Sequence, residues 1–119
     1  MLEAITLEPT SSATACVIWL HGLGDSGAGF APIVPELKLP KNHSIRFIFP
    51  HAPIRAVTIN QGQTMRAWYD IKTMDLNHRA DEAGVLESMA LVNDLIEQQI
   101  ALGIKPEQIV IAGFSQGGV

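Results

Sequence analysis

Apolar residues follow two rhythms along this chain. A nearly continuous apolar run at 13–20 predicts a strand covered on both faces, and 44–49 and 108–114 predict further strands with apolar cores. Residues 2–7 alternate and predict a further short strand. Over 81–102 the rhythm changes. Val85, Met89, Val92, Ile96 and Ile100 recur at steps of three or four and predict a helix with one apolar stripe. Glu82, Glu87, Asp94 and Glu97 lie mostly off that stripe. Asp81 is placed to cap the helix start, Gly103 to supply a left-handed residue at its end, and Pro106 to prevent a restart. A shorter helix is expected over 28–37, with Pro32 near its first turn. Residues 51–80 read as loop, apart from one strand-like piece at 67–71. Strands that alternate with helices predict an α/β fold with mostly parallel neighbours. The strand ending at Phe114 is expected near the sheet centre, with far-side neighbours supplied by residues outside 1–119.

Composition narrows the class. At 119 residues the chain amounts to one domain at most, and 47% apolar with 17% charged residues makes it globular rather than disordered. Its formal net charge of −4 weighs against nucleic acid or an anionic membrane as partner. The single cysteine, Cys16, lies inside a strand-like run, so a buried inert thiol is expected. One cysteine allows no intrachain disulfide and fits a reducing compartment. The first residues lack the basic start of a signal peptide, and no apolar stretch is long enough for a transmembrane helix. The expected location is cytoplasmic.

Chemistry concentrates at two glycine-rich loops, each directly after a predicted strand. The second is Gly113-Phe114-Ser115-Gln116-Gly117-Gly118. Gly-x-Ser-x-Gly after a strand is the nucleophile-elbow pattern. A tight strand-to-helix turn projects the weakly nucleophilic serine hydroxyl clear of the backbone, at the cost of a strained φ/ψ. Gly113 and Gly117 have no Cβ to collide across such a turn. The first loop is His21-Gly22-Leu23-Gly24-Asp25-Ser26-Gly27. Gly22, Gly24 and Gly27 also match the dinucleotide fingerprint, which calls for an acidic residue closing the next strand. Positions 38–56 contain no Asp or Glu, so a dinucleotide-binding domain is disfavoured. In the hydrolase reading the N–H groups of Leu23 and Gln116 form an oxyanion hole, with Ser115 as nucleophile. A non-catalytic remnant serving as a binding or dimerising module is the other alternative.

These motifs give the chain a resemblance to the phospholipase/carboxylesterase family of α/β-hydrolases, the group of acyl-protein thioesterases and bacterial carboxylesterases. It rests on Leu20-His21-Gly22-Leu23-Gly24-Asp25, Phe49-Pro50-His51-Ala52-Pro53, Val57-Thr58-Ile59-Asn60, Met65-Arg66-Ala67-Trp68-Tyr69-Asp70-Ile71 and the Ser115 loop. The resemblance implies an α/β-hydrolase fold and cleavage of carboxylic esters or thioesters through an acyl-serine, with no metal or organic cofactor. It implies Met65 and Trp68 as substrate-pocket candidates, and it extends to a homodimer. In this fold the triad acid and histidine follow the serine. Here His21, His43, His51 and His78 all precede Ser115. Residues 1–119 therefore read as the N-terminal half of one hydrolase domain, inactive alone, whose acid and base come from a C-terminal segment. His21 and His51 are expected to be structural, and His43 and His78 to face solvent.

Overall fold

The computed structural model describes residues 2–71 and 81–118. A four-stranded sheet is built from β1 (Ala4–Leu7), β2 (Ala15–Leu20), β3 (Ile45–Pro50) and, last in the chain, the strand Ile109–Gly113. Between them lie the short helices α1 (Gly27–Phe30) and α2 (Ile33–Glu36), a hairpin of β4 (Ile54–Val57) and β5 (Gln63–Arg66), and the long helix α3 (Glu82–Ala101). The last strand is β6. The sheet order is β1-β3-β2-β6. β2 runs parallel to both β3 and β6, and β1 is antiparallel to β3.

The two faces of the sheet follow from strand alternation. Cys16 and Ile18 on β2 and Ile48 on β3 point to one face, where they pack with Leu95 of α3 and Ile104. Trp19, Phe47 and Phe49 point to the other. There Phe30 of α1 sits edge-on to Trp19, with ring centroids 5.5 Å apart, and 5.7 Å from Phe114. Both faces of β2 are thus covered, as its continuous apolar run requires. Burial pushes the Cys16 thiol up to about 11, against a smaller lowering by the Arg46 charge. A disulfide reagent at pH 8 is expected to leave Cys16 unmodified in the folded protein and to react with it completely once denaturant is added. Rapid reaction of the native thiol would contradict its placement.

Several expectations need correction. The helix expected over 28–37 is two single turns, because Pro32 stands at the N-cap of α2 rather than inside one helix. β3 ends at Pro50, which stands opposite Ala4 of β1. The segment 51–66 holds the β4–β5 hairpin, which the loop reading missed, while 67–70 is not a strand. In the described sheet β6 pairs on one side only, with β2, which is no departure from the expected central place with far-side neighbours from another segment; Val110 is 54% and Ile111 44% exposed.

Helix α3 matches its expected span, and Gly103 beyond it has φ +100°. Asp81 holds the N-cap position without a side-chain capping bond. The buried face is rotated from the expected stripe: Gly84, Ser88, Val92, Leu95 and Gln99 are buried, whereas Met89 is exposed. Two polar residues tolerate burial because each finds a partner. Ser88 Oγ donates to the Trp68 carbonyl, and Gln99 Oε1 accepts from Arg46 Nη1 at 2.7 Å. The apolar stripe instead borders an open cleft of about 400 Å³, in which Val85, Met89 and Ile96 face Ile111 and Ala112 of β6.

Candidate active site

β6 delivers the chain into a turn that only glycine permits at two positions. A Cβ on Gly113 would fall on the Gly117 carbonyl oxygen. One on Gly117 would fall on the Leu20 carbonyl oxygen and lie 2.6 Å from that of His21. The turn is therefore folded back upon itself and pressed onto the end of β2. Phe114 N–H donates to the Leu20 carbonyl at 3.0 Å, and Gly117 N–H to the Phe114 carbonyl at 3.0 Å. Between the glycines Ser115 is exposed and adopts φ +55°, in the left-handed region. For a residue with a Cβ this costs on the order of 1 kcal/mol. The strained serine and colliding glycines are the geometry that the sequence motif predicted.

The loop after β2 faces this turn. A methyl group placed on Gly22 would sit 3.4 Å from Ser115 Cβ and 3.6 Å from the Phe114 ring. The next residue is Leu23, half-buried, and Gly24 N–H donates to the Arg66 carbonyl at 2.9 Å. The loop after β2 and the serine turn are thus in direct contact, with Leu23 and Gln116 next in the chain on each side of that contact. Met65 of β5 is half-buried, and its sulfur lies 3.8 Å from where a Gly24 Cβ would be, at the border of the same loop. Trp68 is 3% exposed and lies beneath the loop, with its indole N–H donating to the His21 carbonyl at 2.8 Å.

The described histidines hold backbone. His21 is fully buried; its Nε2 accepts from Ala52 N–H at 3.0 Å, which leaves Nδ1 to donate to the Gly22 carbonyl at 2.7 Å. Both ring nitrogens are occupied, so the neutral tautomer is fixed. Burial is the main cause holding its pKa below 6.5, against an opposing pull from the Gly22 bond. The unfolded chain then binds more protons than the folded one. The His21 contribution to stability is complete above about pH 6.5 and is lost as pH falls below it. Thermal unfolding should show a midpoint that drops from pH 7 to pH 5, with a shallower slope in His21→Asn. An unchanged slope in the variant would assign the titration elsewhere. His51 Nδ1 accepts from Gly27 N–H at 3.0 Å, which ties β3's end to α1. His43 is not solvent-facing as expected: it is half-buried, accepts from Ile45 N–H at 3.1 Å and lies edge-on to Phe47. His78 lies outside the described residues.

No group of three metal-ligating side chains occurs among the described residues. None of the described helices is long and apolar enough to cross a membrane. Sequence reasoning missed the side-chain partners of Gln116. Its Oε1 accepts from Trp68 N–H at 2.8 Å and its Nε2 donates to the Tyr69 carbonyl at 2.9 Å. Nothing in local spacing signals a contact 48 residues away in the chain.

Comparison with known proteins gives matches along nearly the whole chain. Residues 2–119 match the family model described as Phospholipase/Carboxylesterase. The chain is 44% identical over 116 residues to acyl-protein thioesterase 1 of Schizosaccharomyces pombe, covering 98% of this chain and 51% of that protein. It is 41% identical over 108 residues to carboxylesterase SOBER1 of Arabidopsis thaliana, covering 89% of this chain and 47% of that protein. The crystal structure of Arabidopsis thaliana SOBER1 superimposes with a TM-score of 0.80 at 40% identity, over 87% of this chain and 50% of that one. Zea mays acyl-protein thioesterase 2 gives 0.79 at 29% identity, over 98% and 48%. The chain spans about half the length of the curated relatives it matches. With its mostly parallel sheet flanked by helices, it has the α/β-hydrolase fold and belongs to the phospholipase/carboxylesterase family.

Proposed function

We propose that this chain carries the nucleophile and oxyanion hole of a serine hydrolase that cleaves carboxylic esters or thioesters. The observation that carries this reading is Ser115, exposed and held at φ +55° in a glycine-locked turn against the Gly22–Leu23 loop. Ser115 Oγ attacks the substrate carbonyl, and its proton passes to a general base. The negative charge that develops on the carbonyl oxygen is met by the N–H groups of Leu23 and Gln116. Collapse expels the alcohol or thiol and leaves an acyl-serine, which water then hydrolyses with regeneration of the hydroxyl. No step needs a metal or an organic cofactor.

The base and its acid come, in this proposal, from a companion C-terminal segment of the same protein. His21 has both ring nitrogens committed, and His43 and His51 are tied to backbone N–H groups. The exposed apolar edge of β6 and the cleft beside α3 give that segment an apolar surface to cover. Met65 borders the acyl chain, and Trp68 supports the oxyanion loop from below. The names of the relatives include both a thioesterase and a carboxylesterase, in keeping with either bond as substrate. Pairing into a homodimer follows from the family resemblance, and the lone buried Cys16 suits a cytoplasmic setting.

A fluorophosphonate probe tests the proposal in the full-length polypeptide. It is expected to label Ser115 and to block hydrolysis of a p-nitrophenyl ester. A folded protein that neither labels nor hydrolyses would overturn it in favour of a non-catalytic binding module.

A further inference from the structure

We infer that the side chain of Gln116, as distinct from its backbone N–H, is a positioning residue that sets the separation of the two oxyanion donors. The inference rests on the serine-hydrolase reading and adds to it. Gln116 is only 6% exposed, directly after the serine. Its carboxamide bridges the 68–69 backbone, with Oε1 receiving Trp68 N–H at 2.8 Å and Nε2 giving to the Tyr69 carbonyl at 2.9 Å. Trp68 is in turn fixed at its carbonyl by Ser88 Oγ from α3 and at its indole N–H by the His21 carbonyl at 2.8 Å. The His21 ring lies 5.2 Å from the indole, and its Nδ1 holds the Gly22 carbonyl. Leu23 follows at once. A continuous set of bonds therefore runs from the residue that supplies one donor to the loop that supplies the other.

The physical consequence concerns the transition state more than the ground state. An oxyanion hole works because its donors are already placed where charge will appear. Letting one donor drift by a fraction of an ångström weakens bonds to the oxyanion while barely touching substrate contacts along the acyl chain. Loss of the Gln116 bridge should then lower kcat and leave KM nearly unchanged.

Gln116→Met keeps the length of the side chain and the backbone N–H while removing both polar ends. Measured on full-length protein with a p-nitrophenyl ester, and normalised to sites titrated with fluorophosphonate, its kcat should fall about 10-fold or more, with KM within twofold. Gln116→Glu, which retains an acceptor for Trp68 N–H, should recover part of the loss. Trp68→Phe, which removes only the indole N–H and part of the ring, should lower kcat at least about threefold. It decides the matter if Gln116→Met does not fold. A normalised kcat within twofold of wild type in either folded variant, or a loss confined to KM, would overturn the inference. Ser115→Ala separates this failure from that of the parent reading. If it abolishes hydrolysis while Gln116→Met is normal, only the positioning role is lost. If Ser115→Ala hydrolyses normally, the nucleophile assignment itself is wrong.

Discussion

Ser115→Ala is expected to reduce ester hydrolysis by the full-length protein about 10⁴-fold or more, and to abolish fluorophosphonate labelling. The size follows from the chemistry. Removing the hydroxyl removes the acyl-enzyme route altogether, and what remains is transition-state binding by the two amides. Substrate binding should survive, because Ser115 contributes one exposed oxygen and little surface. A companion variant ties function to backbone strain. Ser115→Gly should be equally inactive, yet more stable than Ser115→Ala by about 1 kcal/mol, since glycine meets no penalty at φ +55°. Denaturant titration of the two variants checks the ordering. Equal stability, or alanine the more stable, would mean that the serine carries no strain.

Gly117→Ala should have the second largest effect, and for a different reason. Its new methyl group would collide with the Leu20 and His21 carbonyl oxygens, both backbone atoms at the end of a paired strand. Neither can swing aside as a flexible side chain would. The turn must open, Ser115 must move away from Gly22, and the Gln116 amide moves with it. We expect a loss of about 3 kcal/mol in stability and a drop in activity of at least about 100-fold. Circular dichroism melts and site titration with the fluorophosphonate separate the two losses. Near-normal activity in Gly117→Ala would show that the turn is looser than its contacts imply. Gly118 is the internal control, because a Cβ there would meet nothing closer than 3.4 Å.

Much of this architecture is legible in the sequence. The run feeding β2 is apolar on both faces, and those feeding β3 and β6 have apolar cores, a property that marks strands in a parallel sheet whatever their neighbours. The Ser115 turn was legible because a strained serine between obligatory glycines leaves few other sequences able to adopt it. What was hidden is long-range. The buried face of α3 is set by Trp68 and Arg46, which reward Ser88 and Gln99 for turning inward, so hydrophobic periodicity alone pointed to the wrong flank. The β4–β5 hairpin has little alternation, and Ile54 is 65% exposed. It persists because the Arg55 guanidinium reaches the Ala67 carbonyl, Arg66 reaches that of Ala52, and Asp70 accepts from Thr58. His43 is a different case: its partners, Ile45 N–H and the Phe47 ring, lie two and four residues on in the strand the sequence already predicts, but hydrophobic patterning does not say which way a loop side chain folds.

One structure would test the central claim most directly. When full-length protein inactivated by a fluorophosphonate is crystallised, phosphorus should be bonded to Ser115 Oγ. Its non-bridging oxygen, a tetrahedral stand-in for the oxyanion, should lie about 3 Å from the backbone nitrogens of both Leu23 and Gln116. An adduct on another residue, or a phosphonyl oxygen turned to solvent with both amides bonded elsewhere, would contradict the account.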